Sequence, residues 1–214
     1  MFGTAADSAN GTSLTATDSN ISGTFNYGIA TNGSFHNNTI TLTDTDVSAP
    51  EKSGTAMYLP GEGETTITGG TITGATGIEI RAGKLTVKGG AEITATATEF
   101  SIKENGNGTT ITGAAIGVSQ HSTNLAINVD LQDGTYNGVY AFYEEDIQDP
   151  ETGAEVALSI KGGAYNGKVE SKTVTGFIEG GDFGVKPADK LMNEGYAAEY
   201  VNGRYVAVPS TALQ

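Results

Sequence analysis

Aromatic rings set beside scarce cations are the first groups in this chain that could do chemistry. Tyr58, Glu79, Ser101 and Tyr140 hold matching places in the short segments Met57-Tyr-Leu59, Ile78-Glu-Ile80, Phe100-Ser-Ile102 and Val139-Tyr-Ala141. Pro60, Arg81, Lys103 and Phe142 follow in a neighbouring column. Alternation of apolar and polar residues buries one face of a strand and wets the other, so both columns are expected on one outward strip. Ring faces suit the C–H surfaces of sugars, and adjacent charges and hydroxyls suit their OH groups. The candidate ligand-binding residues are therefore Tyr58, Glu79, Arg81, Lys103, Tyr140 and Phe142. Arg81 and Lys103 on adjacent strands would make a local positive spot for an acidic sugar or carboxylate, with Glu79 beside both relieving their repulsion.

Other chemistry is less well furnished. The segment Glu144-Glu-Asp-Ile-Gln-Asp-Pro-Glu151 carries oxygen ligands of the kind Ca²⁺ takes. It lacks both EF-hand spacing and the glycine-aspartate nonapeptide of calcium-binding β-rolls, and reads as a solvated loop. Asp44 and Asp46 could point the same way from one strand, the minimum for paired-carboxylate hydrolysis, but a long repeat surface supplies such pairs by chance. A lyase site needs an arginine or lysine base beside calcium-binding acids. Arg81 is the only arginine in the repeat body, and no acids cluster at matching positions. His36 and His121 lie far apart in sequence and read as loop residues. Thr-x-Thr pairs such as Thr66/Thr68 and Thr110/Thr112 would order water only as a flat array, and the pattern breaks at Val87-Lys88. The absence of cysteine excludes disulfides, thiolate metal sites and a thiol nucleophile. No catalytic residue, metal or cofactor is expected.

The elements that must position these residues follow from a recurring phrase. Ile67-Thr-Gly-Gly-Thr-Ile72 returns as Val87-Lys-Gly-Gly-Ala-Glu-Ile93, Ile111-Thr-Gly-Ala-Ala-Ile116, Leu131-Gln-Asp-Gly-Thr-Tyr136, Ile160-Lys-Gly-Gly-Ala-Tyr165 and Ile178-Glu-Gly-Gly-Asp-Phe183, at spacings of 20, 24, 20, 29 and 18. Weaker copies are Ile21-Ser-Gly-Thr-Phe25 and Leu42-Thr-Asp-Thr-Asp-Val47. Short strands joined by glycine corners at about this period predict a solenoid of stacked coils, about eight of them. Ile67, Ile72, Ile78, Ile80, Val87, Ile93, Ile102, Ile111, Ile116, Leu131, Ile160 and Ile178 should point inward. The 31 glycines without a collagen period fit frequent tight corners.

The tail changes character. Pro187 is placed to start a short helix through Leu191 and Met192, with Gly195 as its stop. Asn202-Gly203 between Tyr196–Val201 and Arg204–Val208 is a strong hairpin signal that sets Tyr200 opposite Tyr205. A helix plus hairpin there reads as a cap over open strand edges. The division is residues 1–186 for the repeats and 187–214 for cap and tail.

The run Gly77-Ile-Glu-Ile-Arg-Ala-Gly-Lys-Leu-Thr-Val-Lys-Gly-Gly90, the phrase Ile178–Phe183, and the endings Gly195-Tyr196 and Asn202-Gly-Arg-Tyr-Val206 resemble β-helical repeat regions of large bacterial surface proteins. These belong to the pectin-lyase-like group, and the resemblance covers about residues 54–208. It implies an all-β, right-handed parallel β-helix, secreted or at the cell surface. The group contains lyases, hydrolases and adhesins, so fold alone leaves activity open. A net charge of −14 argues against nucleic acid, and no window has the length and apolarity of a membrane span or signal peptide. The expected partner is a polysaccharide or a cell-surface protein, bound by a monomeric, adhesin-like module. The alternative is a divergent polysaccharide lyase or glycoside hydrolase.

Overall fold

Runs of Val, Ile, Leu and Thr alternating with polar residues form the strands, because branched side chains pack well on a pleated surface. The computed structural model describes residues 4–5, 11–146 and 155–210. The protein is all-β, and its main ladders are parallel. After the two-residue β1 (Thr4–Ala5), a first circuit of the chain contributes β2 (Ser13–Thr17), β3 (Asn20–Ser22) and β4 (Tyr27–Ala30). The second passes β5 (Phe35–His36) and lays down β6 (Asn38–Thr43), β7 (Asp46–Ser48) and β8 (Thr55–Leu59). The third gives β9 (Gly63–Thr68), β10 (Thr71–Gly74) and β11 (Thr76–Ile80). The fourth begins with β12 (Gly83–Lys88) and β13 (Glu92–Ala95). It then departs into the antiparallel pair β14 (Ser101–Ile102) and β15 (Ile111–Thr112), and resumes with β16 (Ala114–Val118). The fifth is β17 (Ile127–Leu131) with β18 (Thr135–Glu144), and the sixth is β19 (Val156–Ile160) with β20 (Ala164–Ser171).

Three ladders result. The first is a six-stranded sheet in the order β19-β17-β12-β9-β6-β2. In the second, β3, β7, β10, β13, β18 and β20 pair in sequence. In the third, β4, β8, β11, β16, β18 and β20 do the same, since β18 and β20 each cross both ladders. Register puts like on like. Leu42, Ile67, Val87, Leu131 and Ile160 form one column, and Val47, Ile72, Ile93, Tyr136 and Tyr165 a second. Ile29, Met57, Ile78, Ile116, Phe142 and Val169 form a third. All three columns are buried in one core. Tyr136 and Tyr165 stack at 4.7 Å, and Tyr165 and Phe183 at 4.9 Å, each pair worth about 0.5–1.5 kcal/mol beyond its buried area. Corners need positive φ, supplied by Gly69 and Gly70 at 69° and 74°. A Cβ on Gly70 would also lie 2.3 Å from the Thr45 carbonyl oxygen, so only glycine fits.

Two expectations are corrected. The corner phrases at 67–72, 87–93, 131–136, 160–165 and 178–183 do stack in register, but Ile111–Ile116 does not join them. Its first residues are β15, paired antiparallel to β14, and Ile116 stacks on Ile78 instead of on Ile72. The 24- and 20-residue spacings on either side of Ile111 are halves of one long circuit, and the Ile178 copy meets the first ladder only by a bridge to Ile160, so that ladder holds six strands where about eight coils were expected. Ile111 is buried, though in a separate cluster with Ala114 and Tyr143, and Ile102 is only half-buried.

The tail forms a single 3₁₀ turn, Asp189–Leu191, in place of the expected helix. Its carbonyls are claimed by a strand-like neighbour: Gly176, Phe177 and Ile178 donate their N–H groups to Lys190 O and Leu191 O at 2.9–3.0 Å. The residues on either side, Ala188 and Met192, are extended, with ψ of 140° and 135°, so the turn does not continue as a helix. The hairpin does form, from β22 (Tyr196–Val201) and β23 (Arg204–Pro209), with Tyr200 opposite Tyr205. It joins the second ladder through β21 (Asp182–Phe183). Among the described residues, no helix is long and apolar enough to cross a membrane.

Phe177, Ile178 and Phe183 are buried under this terminal segment. Truncation after Phe183 is expected to lower the melting temperature and yield oligomers or aggregate on size-exclusion chromatography, because it uncovers both core and strand edges.

Candidate functional site

The expected outward strip is not a surface. Tyr58, Glu79, Arg81 and Phe142 are buried, Tyr140 is half-buried and only Lys103 is exposed. The alternation of β8 and β11 does place Glu79 on the opposite face from Ile78 and Ile80, as expected. What covers that face is the departure of the fourth circuit, residues 96–113, which folds back across it. Phe142 belongs to the third core column, against Phe177. Tyr140 packs at 4.3 Å on Phe100 and 5.0 Å on Tyr143. The partner of β11 is β16 rather than Phe100–Ile102, so Lys103 does not follow Arg81 in a column.

Glu79 and Arg81 hold this cover in place. The Glu79 carboxylate accepts from the Thr110 N–H at 2.8 Å, the Thr110 hydroxyl at 2.7 Å and the Ile111 N–H at 3.2 Å. Arg81 donates to the carbonyls of Asn105 (2.8 Å), Gly108 (2.7 Å), Ser119 (3.2 Å) and Gln120 (2.7 Å), and to the Tyr58 hydroxyl at 3.3 Å. The two side chains lie 3.7 Å apart with no exposed surface. Burial pushes the Glu79 carboxyl up, while Thr110, Arg81 and Ile111 pull it down. Buried charges are tolerated when this fully bonded. They are positioning groups, closed off from any ligand.

The cover creates a cleft of about 550 Å³, within the usual size range of ligand pockets. Tyr27 of β4 and Tyr58 of β8 stack at 4.9 Å and 14° to form one wall. Phe25 stands at the rim and is 81% exposed, a large apolar ring left to solvent. Asn107 and Gly108 of the cover also line the cleft, held at the hydroxyl ends of the two tyrosine rings by the Gly108 N–H donating to the Tyr58 hydroxyl at 2.8 Å and the Thr109 hydroxyl bonding to that of Tyr27 at 3.3 Å. His121 closes the end against Gly33, where a Cβ would sit 2.5 Å from the ring. Burial and the nearby Arg81 hold the His121 pKa below its usual value. Burial likewise raises the Tyr58 phenol, with Arg81 opposing.

The other sequence candidates are accounted for structurally. Asp46 accepts from the Thr71 N–H and hydroxyl, at 3.0 and 2.6 Å, securing the next strand. His36 pairs with Glu62. Glu144 is buried at the end of β18, accepting from Ser171 and Thr173. Asp149 and Glu151 of the acidic segment lie outside the described residues. Among the described residues no three His, Cys, Asp or Glu side chains gather as a metal site would require. Of the six predicted residues only Tyr58 lines the cleft; Phe25, Tyr27, Asn107 and His121 were not singled out as a group. The available signal was Phe25 at the end of a weak repeat copy, followed two residues later by Tyr27.

Arg81→Leu leaves Glu79 an uncompensated buried charge. It is expected to reduce the unfolding free energy by about 3–5 kcal/mol, against at most about 0.5 kcal/mol for exposed Lys103→Ala, both measured by urea denaturation.

Comparison with protein-family models, curated proteins and solved structures finds no match to this chain, so no known ligand carries over to the cleft.

Proposed function

We propose that the chain is a non-catalytic glycan-binding module built on a right-handed parallel β-helix, with the cleft beside Phe25 as its binding site. Three parallel ladders visited in turn support the solenoid reading, and the strong right-handed preference of parallel crossovers supports its hand. The resemblance to bacterial surface repeats supports an extracellular or cell-surface location.

The observation that carries the binding role is Phe25, 81% exposed beside the stacked Tyr27 and Tyr58. Aromatic faces take the C–H side of a sugar ring, and amides and hydroxyls around them take its OH groups. Asn26, Asn32, Asn107, Thr31 and Ser34 supply those polar groups. A non-catalytic role is supported by Glu79 and Arg81, an acid and a base by residue type, whose polar atoms are engaged by the cover.

The test is a glycan array probed with the protein and with Phe25→Ala, alongside absorbance assays for unsaturated products from polyuronates. Retention that falls at least about tenfold in Phe25→Ala, a loss of roughly 1.4 kcal/mol, with an unchanged melting temperature, is the expected result. Release of unsaturated oligosaccharide, or retention indifferent to Phe25, would overturn the proposal.

A further inference from the structure

We propose that the cleft selects an uncharged glycan over a uronate of the same backbone, an inference that rests on the glycan-binding reading above. None of the described residues lining the cleft is Asp, Glu, Lys or Arg. Apart from His121, the polar side chains of the lining are amides and hydroxyls, groups that both donate and accept and so match sugar hydroxyls. A carboxylate entering such a site would lose water without gaining a cation, an unfavourable exchange.

The nearest guanidinium does not change this. Arg81 lies behind the Tyr58 wall with no exposed surface, and its donors already serve Tyr58 and the carbonyls of Asn105, Gly108, Ser119 and Gln120. Lys103, exposed on the outside of the cover, is not part of the lining. Burial and Arg81 both lower the His121 pKa, disfavouring its cationic form, and its Nδ1 accepts from the Thr123 N–H at 3.3 Å. At longer range, the net charge of −14 repels a polyanion before contact. The acidic-sugar preference expected from Arg81 and Lys103 in sequence is thereby reversed, because the same arginine is turned inward.

Matched polymers differing only in the carboxyl group provide the test: glucan with glucuronan, mannan with mannuronan, and galactan with galacturonan. Titration calorimetry of each is carried out with the intact chain and with Phe25→Ala. The expected result is Phe25-dependent binding of at least one neutral polymer, with its uronate partner weaker by about tenfold or more. That gap should narrow as sodium chloride is raised, because salt screens the repulsion. Ser34→Lys, which places an ammonium at the exposed rim of the cleft, should also narrow it. A uronate bound as tightly as its neutral partner, with Phe25 dependence, overturns this inference and leaves the glycan site standing. If no polymer binds, or binding ignores Phe25, the glycan site itself falls and the inference with it.

Discussion

The parallel register between successive circuits is the constraint on which everything else depends. The strands of an interior circuit are hydrogen-bonded to those of the circuits before and after it, and a one-residue slip would turn every inward side chain outward. Leu42, Ile67, Val87, Leu131 and Ile160 must therefore fall at the same point of five circuits, whatever lies between them. Extra residues are tolerated only if the chain leaves the ladder and returns in register. Residues 96–113 do this between β13 and β16. They have no place in the ladders, so they lie over the outer face of β8 and β11.

A face covered in this way cannot remain an ordinary polar surface. Glu79 and Arg81 would be costly beneath the cover unless bonded, and both are saturated by its backbone and by the 119–120 turn. The backbone of the cover gains partners it would otherwise seek in water. Each side satisfies the other, and the by-product is a fixed wall at the hydroxyl ends of Tyr27 and Tyr58. The cleft is thus a consequence of an insertion meeting a charged strand face. Among the described residues that line it, Phe25 is the large apolar side chain left exposed to solvent.

Much of the ladder was legible in the sequence. Glycine corners and apolar spacing located five in-register corner phrases and the hairpin at Asn202-Gly203, because both signals are local. The excursion was not legible, since Ile111-Thr-Gly-Ala-Ala-Ile116 imitates a corner while Ile111 pairs antiparallel with Ile102. Local resemblance cannot report which strand lies alongside. The strip failed for the same reason. The alternation around Glu79 and Tyr58 correctly separated two faces, but whether the outer face meets water depends on a segment some thirty residues away in Thr110. The tail helix failed because a Pro187 start signal was outweighed by pairing of Lys190 and Leu191 with Gly176–Ile178. Tyr58, the one predicted residue that lines the cleft, does stand beside Glu79 as the alternation implies, but the column continues through Gly117 and Tyr143 instead of Ser101 and Tyr140.

The central claim is that residues 105–111 form a fixed wall of the site, held by buried side chains, and do not behave as a surface loop. Hydrogen exchange of the Gly108, Thr110 and Ile111 amides tests it most directly, because their acceptors are the side chains of Tyr58 and Glu79. The account predicts protection comparable to ladder amides such as Arg81, whose N–H donates to Leu59 O at 2.9 Å. Exchange of those three amides at the rate of an unprotected loop, while the ladders stay protected, would contradict it.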